Sequence, residues 1–182
     1  MQQYIAFLRG INVGGHRVKM TDLRAQFEEL GFTNVATFIA SGNVIFEAAD
    51  ADTARLQAQI EQQLQQALGY TVATFLRSRA EVAAIAAYEP FAQHTSDVDV
   101  YTVSIMLLAQ TPPDDLHQQL AAFETPLDAF HVHDREIYWL CRAKTTESLV
   151  DWALVGKTVS LPPVTVRNAT TIRKLAAKYP PT

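Results

Sequence analysis

Cysteine is almost missing from this chain: Cys141 stands alone among 182 residues, which excludes an intrachain disulfide and any multi-cysteine zinc cluster. Long apolar runs are missing too. The run Ile105-Met106-Leu107-Leu108-Ala109 is far below the roughly 20 residues that a membrane-spanning helix needs. The amino terminus has no basic stretch leading into an apolar run and a cleavage site, so no secretion is expected and a reducing cytoplasm is the expected setting. Also missing are the spaced three-glycine pattern of dinucleotide-binding turns, the lysine-plus-hydroxyl ending of a phosphate loop, and any helical histidine motif for metal. Each absence removes a reaction class without supplying another.

Acidic groups are absent from both ends. Residues 1–20 carry Arg9, Arg17 and Lys19 with no carboxylate, and residues 157–182 carry Lys157, Arg167, Arg173, Lys174 and Lys178 with none. All 19 acidic residues and only 7 of the 15 basic ones lie between, so the net charge of -4 hides two cationic ends around an acidic middle. If the ends meet, they form a basic face whose field attracts phosphate or nucleic acid. If they merely complement the middle, the partition is structural.

The chain is long enough for one substantial core or two small joined subdomains. Residues 3–8 form a continuously apolar stretch, which suits a central strand. The turn Arg9-Gly10-Ile11-Asn12-Val13-Gly14-Gly15 follows, and Thr21 is the expected cap of a helix carrying Leu23, Phe27 and Leu30 on one face and stopped by Gly31. Strands at 35–40 and 44–47 flank the turn Ser41-Gly42-Asn43. A helix over 53–68, with Leu56, Ile60 and Leu64 inward, ends at Gly69 and leads to a strand at 71–77. This strand, helix, strand, strand, helix, strand order is the ferredoxin-like arrangement.

Ser78 and Glu81 have capping-box spacing and open a helix to about residue 87. Residues 88–99, with Glu89-Pro90 and Thr95-Ser96-Asp97, read as a connection. A strand at 100–109 comes next, then a helix capped by Thr111 and begun by Pro112, with Leu116, Leu120 and Phe123 inward. Strands at 129–133 and 136–142 join at Asp134-Arg135, and 147–154 reads as a helix. A last strand is expected at 159–161 or 164–166, before a helix starting near Asn168 with Ile172, Leu175 and Ala176 inward. The expected fold is therefore α+β: two ferredoxin-like (α/β plait) subdomains with antiparallel sheets, the second degenerate, plus a C-terminal helix. The expected organisation is 1–77, a helix and connection over 78–99, a second subdomain over 100–156, and a basic segment and helix over 157–182 packed against the body.

Two turns carry the chemistry. Around Arg9, Asn12, Gly14, Gly15 and Lys19, with Asn43, glycines allow amides to aim at an anion while the cations supply charge. At Arg167-Asn168 a polar run leads into a helix, whose first amides favour an anion. Each also has a plain alternative, a tight strand-to-helix connection at the first and a simple helix cap at the second.

The run Arg9 to Gly15, followed by Lys19-Met20, Leu23, Leu30-Gly31-Phe32 and Ser41-Gly42-Asn43-Val44-Ile45-Phe46, resembles the bacterial family catalogued as domain of unknown function 1697. Val166-Arg167-Asn168, Thr171 and Arg173-Lys174 resemble its closing motif. The resemblance implies a compact bacterial α+β protein of two related subdomains, and it implies no reaction, cofactor or catalytic residue.

The expected function is binding of a phosphate-bearing small molecule or nucleotide at a basic site shared by the two turns, with Arg9, Asn12, Gly14, Gly15, Lys19, Asn43, Arg167 and Asn168 as its residues. The alternatives are an enzyme of unassigned reaction using that pocket, a module binding single-stranded nucleic acid, and a protein-interaction or structural protein. Tyr4, Phe38 and Phe46 would be the stacking platform of the nucleic-acid alternative. His131 and His133, which alternate on one strand face, and Cys141 read as structural. No membrane partner and no metal are expected.

Overall fold

The computed structural model describes residues 1–12, 14–39, 42–49, 51–93 and 101–181. The chain divides into two units, Met1–Ala83 with Leu175–Thr182, and Ala84–Lys174. The expected connection at Thr95-Ser96-Asp97 lies outside the described residues, as does Ser41 of the hairpin turn.

The first unit contains β1 (Gln2–Arg9), α1 (Met20–Glu29), β2 (Thr33–Thr37), β3 (Asn43–Ala48), α2 (Thr53–Leu68) and β4 (Ala73–Ser78). Its sheet runs β2-β3-β1-β4 with antiparallel neighbours, which is the ferredoxin-like order. β1 is central because Tyr4 to Leu8 are buried on both faces of the pleat. One face carries Tyr4, Ala6, Leu8 and Phe46 into a core completed by Leu23 and Phe27 of α1 and Leu56, Ile60 and Leu64 of α2. α2 starts where Asp52 accepts from the Ala54 and Arg55 amides, each at 3.1 Å, and stops at left-handed Gly69.

Two expectations change here. Thr21 does not cap α1: the helix begins at Met20 with Lys19 in the cap position, and the Thr21 hydroxyl donates to the Asp22 carboxylate instead. Tyr4 and Phe46 are not an open stacking platform, since both are buried with ring centroids 5.8 Å apart in the helix-side core. Phe38 is half-buried with the Lys178 ammonium 5.6 Å from its ring centre.

Ser78 and Glu81 form the expected capping box, Ser78 N donating to Glu81 Oε2 at 2.7 Å and Glu81 N to Ser78 Oγ at 3.2 Å, and α3 (Arg79–Ala87) follows.

The second unit holds β5 (Thr102–Leu108), α4 (Leu116–Ala121), β6 (Asp128–His133), β7 (Glu136–Cys141), a 3-10 turn at Thr145–Glu147, α5 (Trp152–Thr158), β8 (Val164–Asn168) and the start of α6 (Ala169–Lys178). Its sheet, β6-β7-β5-β8, repeats the first order. β8 closes this sheet, so the second plait draws on residues beyond 156. The halves also share a register: Ile5 faces Arg77 and Ile105 faces Arg167, and each arginine donates Nη1 to the preceding carbonyl at 2.9 Å. What is degenerate in the second half is its helices, with 6 and 7 residues in α4 and α5 against 10 and 16 in α1 and α2.

The first shortening has a local cause and the second a distant one. α4 starts at Leu116 and not at Pro112, and Thr111 caps nothing, because Pro113 disfavours helical geometry at the residue before it. Residues 147–154 are not one helix. The Ser148 hydroxyl and Leu149 amide are drawn onto the Asp128 carboxylate at 2.7 and 3.0 Å, and α5 begins only after Asp151 caps it through the Leu154 amide. The two-residue turn Asp134-Arg135 is as expected, with Asp134 at φ 50°. Among the described residues no helix is long and apolar enough to cross a membrane.

Candidate anion site

β1 ends at Arg9, and left-handed Gly10 turns the chain into an exposed loop that reaches α1. Two side chains hold this loop. The Tyr70 hydroxyl donates to the Ile11 carbonyl at 2.8 Å, and the Val18 amide donates to Asn12 Oδ1 at 2.8 Å. Burial of the Tyr70 phenol raises its pKa, so it remains a donor at neutral pH. Between these ties Gly14 and Gly15 take φ of 63° and 88° with open space around both, so they serve the direction of the backbone. The His16 ring then lies on the Tyr70 ring, centroids 4.2 Å apart and planes 28° off parallel.

Asn12, Gly15, His16, Arg17, Val18, Lys19 and Met20 line an open groove on this loop. No carboxylate is among them. Arg17 and Lys19 are exposed, and among the described residues neither enters an ion pair. Their charge is therefore presented outward, beside polar backbone and one imidazole.

Asn12, Gly15 and Lys19 thus meet on one surface, with Gly14 next in the chain. Arg9 stands exposed at the strand end. Asn43 is fully buried, its Nδ2 donating to the Phe38 carbonyl at 3.0 Å while its own carbonyl accepts from the Phe38 amide at 2.9 Å. It closes the β2–β3 hairpin and presents no group to a ligand. Arg167 and Asn168 belong to the second unit. Arg167 is 8% exposed, bonds Thr165 Oγ1 and the Val166 carbonyl at 2.9 Å each, and is pulled down to about 10 by burial, which leaves it charged at neutral pH. Asn168 accepts from the Thr170 amide at 2.8 Å, so its side chain caps the start of α6.

Sequence reasoning counted Arg17 in the cationic amino end without making it a site residue, and singled out neither His16 nor Tyr70. The first two lie inside the basic opening run and are visible there once spacing ceases to be the criterion. Tyr70 is 59 positions from Ile11, and no local pattern announces that bond.

The second unit offers a different concavity, lined by Tyr88, Phe91, Tyr101, Ile105 and Tyr138 with the Glu89–Arg173 pair (3.0 Å) at its edge. Its enclosed volume is about 60 Å³. Behind it the Tyr88 hydroxyl lies 2.7 Å from His131 Nε2, and the Tyr88 ring stacks on His133 at 4.0 Å. Among the described residues no group of three His, Cys, Asp or Glu side chains is placed to hold a metal ion. Cys141 is buried, and burial raises its thiol pKa, so it is a poor nucleophile.

Burial, followed by the charges of His117 and His133, lowers the pKa of His131 below the ordinary 6.5. His117 reaches it from α4, His133 along β6, Tyr88 from the end of α3 and Tyr138 from β7. A depressed folded value means that His131 contributes stability above about pH 6.5, and that this contribution is lost as pH falls through that range. The melting temperature is expected to fall as pH drops below about 6.5, and less steeply in His131→Gln. Equal slopes in thermal melts of the two proteins would refute this account.

A family model described as "Protein of unknown function (DUF1697)" matches residues 1–138. No curated protein matches the chain. Among solved structures, that of the conserved bacterial protein SP0830 from Streptococcus pneumoniae is similar over 98% of both chains, with a TM-score of 0.79 at 23% identity. That likeness extends the shared fold through β8 and α6, beyond the span of the family match.

Proposed function

The chain belongs to this DUF1697 family, and we propose that it binds a phosphate-bearing small molecule in the groove of the loop between β1 and α1. The observation that carries this reading is the pairing of two outward cations, Arg17 and Lys19, with a lining that contains no carboxylate. Arginine supplies planar donors and lysine a point charge, the combination that suits phosphate oxygens. The ties at Ile11 and Asn12 support the reading because a loop ordered before binding loses less entropy on binding. A reducing bacterial cytoplasm, rich in such metabolites, belongs to the same proposal.

Calorimetric titration with inorganic phosphate, pyrophosphate and ribose 5-phosphate tests it. At least one probe is expected to bind, more weakly as salt rises. Arg17→Ala/Lys19→Ala is expected to cost at least about tenfold in Kd, the size of one lost charged hydrogen bond. Absence of salt-sensitive binding by every probe, or an unchanged Kd in the double variant, would remove the site.

A further inference from the structure

We infer that the phosphate bound in this groove is carried on a flat heteroaromatic ring, so that the ligand is a nucleoside phosphate. The inference rests on the anion-binding reading and goes further by using the half of the groove that charge does not explain. His16 is exposed, yet its ring is not loose. It is stacked on Tyr70, which is partly buried against the core of the first unit and fastened to the Ile11 carbonyl at 2.8 Å. One face of the imidazole is thus covered by Tyr70, and His16 is among the residues that line the groove.

An exposed aromatic ring ordered from behind is a platform on which another ring can continue the stack. The energy of such stacking depends little on which base is added, so the platform selects a nucleobase as a class. The neighbouring Gly15 adds no bulk to the groove, since even a Cβ built on it would meet nothing within 4 Å. Arg17 and Lys19 lie one and three residues after His16 in the chain and line the same groove. A bare phosphate or a sugar phosphate would use the cations and leave the imidazole idle.

The test compares AMP with ribose 5-phosphate, which differ by the base alone, in calorimetric titrations at one ionic strength. AMP is expected to bind about 5- to 150-fold more tightly, the range for one stacked base. In His16→Ala that ratio is expected to fall to near unity. In Arg17→Ala/Lys19→Ala both ligands are expected to weaken while the ratio persists. Equal affinities in the native protein would overturn the base platform and leave the phosphate reading standing. A preference for AMP that survives in His16→Ala would overturn it as well, by putting the base elsewhere. Binding of neither ligand would overturn the base platform, and would take down the phosphate reading as well if inorganic phosphate and pyrophosphate also fail to bind.

Discussion

Asp128→Ala is expected to lower the stability of the second unit by about 3–5 kcal/mol, the loss of several hydrogen bonds to a charged acceptor at about 1.5–3 kcal/mol each, partly offset by water. Asp128 is 1% exposed and accepts from four groups: Thr125 Oγ1 at 2.7 Å, Ser148 Oγ at 2.7 Å, Trp139 Nε1 at 2.9 Å and the Leu149 amide at 3.0 Å. Removing the carboxylate takes the acceptor from all four donors, of which the buried Trp139 Nε1 is the hardest for water to reach. The network also joins four separate pieces of chain: the turn before β6, β7, the segment after the 3-10 turn, and Asp128 itself at the start of β6. Urea denaturation followed by tryptophan fluorescence reads the effect directly. Both tryptophans, Trp139 and Trp152, lie in this unit with ring centroids 4.8 Å apart. Asp128→Asn is expected to recover only part of the loss, since its amide turns a donor toward donors. A loss under about 1 kcal/mol in the alanine variant would show that the network contributes little.

The same residue sets an acid limit. Burial alone would raise the Asp128 pKa, but the hydrogen bonds from Thr125, Ser148, Trp139 and Leu149 outweigh it, and the net shift is downward. A lowered carboxylate pKa gives stability that is present above the ordinary value near 4 and is lost as pH falls through the folded one. That window lies below the one assigned to His131, so the two contributions separate in a pH series.

Gly42→Ala is expected to destabilise the first unit by about 2–4 kcal/mol, combining backbone strain with overpacking. Gly42 has φ 72°, and a Cβ there would sit 2.9 Å from Ile11 Cγ2 and 3.2 Å from Leu8 Cβ. Neither is the far end of a flexible side chain. The Gly42 carbonyl also accepts from the Leu8 amide at 2.8 Å, so the hairpin cannot retreat without breaking that bond. Because Ile11 anchors the loop that carries the groove, the variant is expected to weaken phosphate binding along with folding. Gly15→Ala is the control: its φ is 88° with nothing within 4 Å, so it carries strain alone, about 1 kcal/mol. Chemical denaturation monitored by circular dichroism checks both, and equal losses would mean that contact with Ile11 is not what the glycine avoids.

The amino-acid order by itself determined the plait. The apolar run Tyr4 to Leu8, the stripe Leu56, Ile60 and Leu64, the capping box of Ser78 and Glu81, and the turn at Asp134-Arg135 are all local patterns. Their outcome is set within a few residues of chain by periodicity and by backbone hydrogen bonds at element ends. Tertiary structure decided the rest, because the deciding partners are distant in sequence. Asp128 reaches forward about 20 residues to interrupt a helix that local propensity favours. Tyr70 reaches back 59 to fix the loop beneath His16. Asn43, polar and placed in a glycine turn, reads as a ligand group until burial shows its amide spent on the Phe38 carbonyl. A side chain's chemistry is fixed by its identity, but whether that chemistry is offered to solvent or used up inside depends on contacts that no local pattern encodes.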